Sequence, residues 1–236
     1  VVIGSHCVGL DYLINQLQQY GIRSKLLSVG STAGLFAAQR GQCDLAGIHL
    51  LDPSTGTYNR PFLDDSLTLV AGYGRSQGIV FRPGDSRFCG KSVSEIVAMA
   101  KNDSSILMVS RNQGSGTRVL IDQLLDGEKL NGSAVQPSNH NAVAAAIAQH
   151  RADWGITIEH IARLAKLAFV PLQDEQFDFA IPTVRLQRPA VQAFLRLLLD
   201  QEVRQTLRQM GLKVPGGAQS DTTDALIDSN ASRFTK

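Results

Sequence analysis

The sequence predicts an α/β fold of two lobes, each a mainly parallel sheet flanked by helices. Three observations predict it. Short apolar, β-rich runs alternate with helical patterns from Val1 to Leu51. The alternation restarts after Arg82-Pro83-Gly84-Asp85, a strong turn signal. The strand candidates are apolar almost throughout, as strands covered on both faces are.

The elements of the first lobe follow in order. Val1–Gly4 is a strand. Leu10, Leu13, Ile14 and Leu17 mark one face of an amphipathic helix, which Gly21 stops. Lys25–Val29 is a second strand, and Ser31 is a candidate N-cap for a helix over Thr32–Arg40, closed by Gly41. Cys43–Leu51 is a third strand. Leu67–Val70 and Ile79–Phe81 are two more, joined by the Gly-rich stretch Gly72-Tyr73-Gly74.

In the second lobe, helices are predicted over Ser94–Lys101, Thr117–Leu125, Asn141–His150 and Glu159–Leu167, with strands at Ile106–Val109 and Trp154–Ile158. The single tryptophan, Trp154, is expected in the core. Val170 and Phe177–Ile181 return as extended chain before Pro182, and Ala190–Met210 reads as one long helix packing back on the first lobe. The expected division is therefore residues 1–81 with 182–218, and residues 82–181. Residues 219–236 form a polar extension, interrupted by Ala225-Leu226-Ile227.

Composition narrows the function. Of 236 residues, 43% are hydrophobic and 19% charged, an ordinary globular mixture. Lys+Arg 23 against Asp+Glu 21 leaves a formal charge of +2, too small for sequence-independent nucleic-acid binding. No apolar run approaches the roughly 20 residues of a membrane helix. Cys7, Cys43 and Cys89 are widely spaced with no CxxC pair, so neither a zinc site nor a disulfide framework is expected. That usage points to a reducing compartment, hence the cytoplasm, or the periplasm if a signal peptide has been removed. The chain opens Val1-Val2-Ile3 without an initiator Met, as a fragment or processed form does.

Three strand-to-helix turns carry the candidate chemistry. In Ser110-Arg111-Asn112-Gln113-Gly114-Ser115-Gly116-Thr117-Arg118, glycines allow close approach and the helix start offers free N–H groups. Ser115 and Thr117 add hydroxyls there, and Arg111 and Arg118 add charge. Gly4-Ser5-His6 and Gly30-Ser31-Thr32-Ala33-Gly34 repeat the pattern at strand ends, where open α/β sheets bind ligands. His6, His49 and His140 lie at strand ends or in loops. Neither GxxxxGK[ST] nor GxGxxG is present, so these turns suit an anion rather than a nucleotide fingerprint. Gly74-Arg75-Ser76-Gln77-Gly78 matches G-x-S-x-G, but Ile79-Val80-Phe81-Arg82-Pro83 follows where a nucleophile elbow needs a helix. A serine hydrolase using Ser76 is the disfavoured alternative, and no enzyme or metal site is expected.

These residues resemble a family. Ile3-Gly4-Ser5-His6, Ser31-Thr32-Ala33-Gly34-Leu35, Gly41 through Leu50 and the Gly114–Arg118 turn are similar to the type II periplasmic-binding-protein-like domain of molybdate and tungstate biology. The resemblance spans about residues 1–212. It implies a ligand between two lobes, and a domain often fused to a winged-helix regulator or a molybdopterin-biosynthesis protein. It implies an anion site lined by Ser5, Ser31, Thr32, Ser115, Gly116 and Thr117, with Arg118 nearby; His6 and His49 complete the candidate set. The ligand expected is molybdate or tungstate with no further cofactor, and the alternative is a larger anion such as a molybdopterin precursor. A homodimer is compatible with this, and nucleic acid would be reached only through an upstream domain.

Overall fold

The computed structural model describes residues 1–214 together with Leu226 and Ile227. The elements in chain order are β1 (Val2–Gly4), α1 (Val8–Gln19), β2 (Leu26–Ser28), α2 (Ser31–Gln39), β3 (Ala46–Ile48) and β4 (Leu67–Phe81). They continue with α3 (Val93–Asn102), β5 (Met108–Val109), α4 (Gly116–Leu124), α5 (His140–Ala148), β6 (Trp154–Ile158) and α6 (Glu159–Leu164). The last are β7 (Ala168–Pro182), α7 (Pro189–Leu199) and α8 (Gln201–Gln209). The chain forms two compact units, Val1–Gly74 with Glu175–Lys236, and Arg75–Asp174. It passes between them inside the two long strands, β4 and β7.

In the first unit, β1 and β2 pair in parallel, Val2 opposite Leu26. A separate set runs β3-β7-β4, with β3 antiparallel to β7 (Ala46 opposite Ala180). The apolar stripe of α1 is buried as Leu10, Leu13, Ile14 and Leu17, against Phe177, Phe179, Phe194 and Leu195. Aromatic geometry sets this core: Tyr73 and Phe177 stack at 5.4 Å, and Phe179 meets Phe194 edge-on at 4.8 Å. Leu226 and Ile227 pack on the same cluster, and Gln192 Nε2 donates to the Leu226 carbonyl at 2.9 Å. The rest of the predicted extension, residues 219–225 and 228–236, lies outside the described residues.

In the second unit, the order is β7-β4-β6-β5, with β4 antiparallel and β5 parallel to β6. Trp154, Ile79, Phe88 and Ile96 are fully buried in its core. Ser92 and Glu95 form a capping box on α3, the reciprocal satisfaction of two orphan N–H groups.

Three local expectations are corrected. The sheets are mixed rather than mainly parallel: β3 pairs with β7 and β4 with β6 antiparallel, while β1–β2 and β5–β6 are parallel. Gly72-Tyr73-Gly74 does not divide β4: a side chain at Gly72 would overlap the Phe177 carbonyl, and one at Gly78 the Val170 carbonyl. These glycines admit a neighbouring backbone, as strand glycines do. The G-x-S-x-G match therefore lies inside a strand with no elbow, and Ser76 is buried there. The predicted helix Ala190–Met210 breaks at Asp200, whose carboxylate accepts the Val203 N–H at 3.0 Å and starts α8.

Candidate functional site

The first unit assembles Ser5, Ser31 and His49. β1 ends at Gly4, and α2 begins beside it. Gly30, not Ser31, is the N-cap of α2; its φ of 87° is the left-handed conformation that favours glycine. Ser31 is thus the first helical residue, and its hydroxyl is released from capping. Ser5 Oγ and Ser31 Oγ lie 2.8 Å apart, and Ser31 Oγ accepts the main-chain N–H of His49 at 3.0 Å. Both serines are buried. Two hydroxyl protons serve this pair and one closes the bond between them, so one O–H remains to donate. With no side chain capping α2, the first-turn N–H groups add further donors and the positive end of the dipole.

His49 follows β3 and is held from two sides. Its Nδ1 lies 2.9 Å from Glu175 Oε1, and its ring stacks on Phe177 at 5.9 Å. The next residue is clamped by Asn59, which is fully buried at φ 59°. Asn59 Oδ1 accepts the Leu50 N–H at 2.7 Å, while Nδ2 donates to Asp178 Oδ2 at 2.8 Å. Asp178 also accepts Gly72 N–H at 3.0 Å. Satisfied buried polar groups of this kind fix one backbone path. His6 and Thr32 are both exposed; His6 Nε2 lies 2.7 Å from Asp11 Oδ2 at the start of α1.

The second unit assembles Arg111, Thr117, His140 and Thr157. Ser115 is the N-cap of α4: its Oγ accepts Arg118 N–H at 3.2 Å and donates to the Asn112 carbonyl at 3.0 Å. Its hydroxyl is thereby spent. Gly116 is the first residue of the helix and exposed, and Thr117 is buried behind it. Thr117 Oγ1 accepts from Arg111 Nη1 at 3.4 Å, which leaves its O–H to donate. Arg111 is buried, with Nε on the Pro137 carbonyl (3.2 Å) and Nη2 on that of Ser138 (3.3 Å). Its Nη1 also lies 3.3 Å from His140 Nδ1, and that nitrogen is 3.1 Å from Thr157 Oγ1. Arg118 is turned along its own helix, with Nε 2.8 Å from Asp122 Oδ1.

Arg111 therefore sits among the hydroxyls, and Arg118 does not. The local signal was available: an Asp four residues after Arg118 on the same helix is its natural partner. Glu175, Asn59 and Thr157 had no such signal, since their contacts span 126, 119 and 17 positions.

Both units combine strand-Gly-hydroxyl-helix turns with mixed sheets flanked by helices, an α/β architecture. The chain belongs to the PBP superfamily: the model of the PBP superfamily domain matches residues 14–199. A curated relative, the uncharacterized protein YvgK of Bacillus subtilis (strain 168), is 29% identical over 195 residues. That match takes in 77% of this chain and 60% of the relative, so the chain spans less than two thirds of the relative's length.

Solved structures of several ligand types share the fold. An ABC-type phosphate transport receptor from Vibrio cholerae superposes with a TM-score of 0.64 at 16% identity, over 91% of this chain and 99% of that one. The tungstate binding protein TupA from Desulfovibrio alaskensis G20 gives 0.59 at 14%, over 88% and 92%. MatC from Rhodopseudomonas palustris, with bound malate, gives 0.64 at 16%, over 96% and 95%. Identities this low establish the fold alone.

Proposed function

We propose that the chain binds a small tetrahedral oxyanion, with molybdate or tungstate as its ligand, and does not transform it. The observation that carries this reading is the spare O–H of the Ser5–Ser31 pair beside the uncapped start of α2. Thr117 and the buried guanidinium of Arg111 repeat the same chemistry at the start of α4. Fixed hydroxyls, amides and a guanidinium bind an oxyanion by hydrogen-bond count and geometry. Catalysis at Ser76 has no support, because that serine is inside β4. The names of the phosphate and tungstate proteins that share the fold favour an oxyanion over a neutral solute.

The chain would serve as the ligand-binding part of a longer protein, a regulator or a molybdenum-cofactor-related one. The greater length of the Bacillus relative supports that part of the reading. A second reading, a molybdopterin precursor, is favoured by Arg111 alone, since a guanidinium fork matches a phosphate group.

Thermal-shift and calorimetric titration against molybdate, tungstate, phosphate, sulfate and a molybdopterin precursor test both. A ligand at a hundred times its Kd adds about 2.7 kcal/mol, a clear midpoint shift. Saturable binding of molybdate or tungstate, recovered unchanged and weakened in Ser31→Ala and Thr117→Val, is the expected result. Binding of the precursor alone moves the second reading ahead, and no shift with any probe refutes oxyanion binding.

A further inference from the structure

β2 pairs with β1 on one side and, among the described residues, with no strand on the other. The ladder shows which of its backbone groups are used. The Lys25 carbonyl accepts from Val2 N–H at 2.8 Å, and Val29 N–H donates to the Gly4 carbonyl at 2.9 Å. Successive residues of a strand turn their backbone groups to opposite sides, so Lys25, Leu27 and Val29 face β1 while Leu26 and Ser28 face outward. The outward N–H and C=O of Leu26 and Ser28 have no partner among the described residues.

The side chains alternate as well. Ile22 and Leu26 pack on the core that holds α1 and α7, whereas Arg23, Lys25, Leu27 and Val29 fall on the other alternation and are all exposed. Leu27 is 38% and Val29 50% exposed. Arg23 and Lys25 have no ion-pair partner among the described residues. An open row of backbone groups is a template for another strand, and the flanking side chains select which strand it accepts. Residues 22–30 contain no acidic side chain, so a second copy laid on β2 by its own β2 offers these two cations no counter-charge. We infer that the β2 edge is a docking site for an extended segment of another protein. That segment places carboxylates opposite Arg23 and Lys25 and apolar side chains opposite Leu27 and Val29. The proposal goes beyond oxyanion binding and does not rest on it.

The probes are two blocked peptides, Val-Thr-Ile-Thr-Glu-Thr-Asp and the same residues in reverse order, which match the edge antiparallel and parallel respectively. A control peptide carries Lys in place of Glu and Asp. Titration of the whole chain, followed by amide NMR, is expected to shift the Leu26 and Ser28 N–H signals with one acidic peptide. The control should bind about tenfold more weakly or not at all. Ser28→Pro deletes an outward N–H that β1 does not use, a change an edge strand accommodates. It is expected to raise the Kd of the acidic peptide about tenfold, while Ser28→Ala leaves it unchanged. Lys25→Glu is expected to reverse the preference toward the Lys peptide. Urea unfolding checks that the variants fold, and Lys25→Glu decides the matter should Ser28→Pro fail to do so. The inference is overturned if neither acidic peptide binds, if binding leaves the Leu26 and Ser28 signals in place, or if Lys25→Glu keeps the wild-type preference. Dimerisation in sedimentation that Ser28→Pro abolishes would also overturn it, by assigning the edge to a second copy.

Discussion

A Cβ placed on Gly34 would come within 2.5 Å of the Gly4 Cα, so α2 rests backbone against backbone on the end of β1. This close approach carries Ser31, three residues earlier in the helix, to Ser5 at the strand end. The same Cβ would lie 2.8 Å from the Ile3 carbonyl oxygen, and neither neighbour is a side chain that could swing away. Gly34→Ala is therefore expected to destabilise the chain by about 1–3 kcal/mol, the usual cost of overpacking. It should also separate Ser5 from Ser31 and weaken oxyanion binding in proportion. Urea unfolding with calorimetry checks both effects; a variant of wild-type stability would mean that α2 does not seat on β1.

The two arginines of the second turn make a paired prediction. Arg111→Gln is expected to lower oxyanion affinity about tenfold or more, since it removes a charge-assisted donor. Arg118→Gln removes an i,i+4 ion pair with Asp122, costing about 0.2–0.5 kcal/mol of stability and no affinity. The hydroxyls divide in the same way. Ser115→Ala should cost about 1 kcal/mol of stability as a lost cap, with binding preserved. Thr117→Val should lower affinity. Measuring Tm and Kd on all four variants separates the groups, and loss of affinity only at Arg118 and Ser115 would reverse the assignment.

Most elements were legible because their signals are local. The stripe Leu10, Leu13, Ile14, Leu17 and the Gly-flanked turns specify helices and their starts without reference to distant chain. β4 was not, because glycine reads as a break in sequence and as close backbone approach in a sheet. Only the carbonyls of Phe177 and Val170, about a hundred residues away, decide between these. The break at Asp200 was hidden for a related reason: the apolar stripe runs on in phase through Val203 and Leu207, masking the cap. At the candidate site, the turns that present Ser5, Ser31 and Thr117 could be read from spacing. The groups that orient their neighbours, Glu175 and Asn59, belong to other elements and could not.

Thiol chemistry tests the burial pattern directly. Cys7 and Cys43 are buried, at 2% and 0% exposure, and Cys89 is exposed. Burial pushes the Cys43 thiol up from its ordinary value, so it is protonated at neutral pH as well as shielded. Native chain treated with a thiol-specific alkylating reagent should label at Cys89 alone, and urea should expose the other two. Mass spectrometry of the labelled peptides reads this out. Labelling of native Cys43 as fast as Cys89 would contradict the packing of the Leu35, Ala38 and Ile48 cluster around it.

The second unit carries an acid-sensitive clasp. Asp85 accepts from Arg87 Nε at 2.9 Å and Nη2 at 2.6 Å, and Arg87 Nη2 also reaches Asp153 at 2.7 Å. Arg82 joins Asp153 at 2.8 Å. The hydrogen bonds from Arg87, more than any other influence, hold the Asp85 carboxyl below its ordinary value. The sign follows from linkage: a carboxylate with a lower value folded than unfolded stabilises the fold above its unfolded value, about 3.9. That contribution is lost as the pH falls through the lower, folded value. Stability of the wild-type chain is therefore expected to fall steeply below about pH 4, as the unfolded state takes up the proton first. Arg87→Gln removes the main cause of the shift, so it should be less stable at neutral pH and show a shallower decline in acid. Urea titrations at a series of pH values between about 2 and 6 give both slopes. Parallel curves for the variant and the wild type would show that Asp85 does not draw its depressed value from Arg87. The clasp would then contribute to folding through geometry alone.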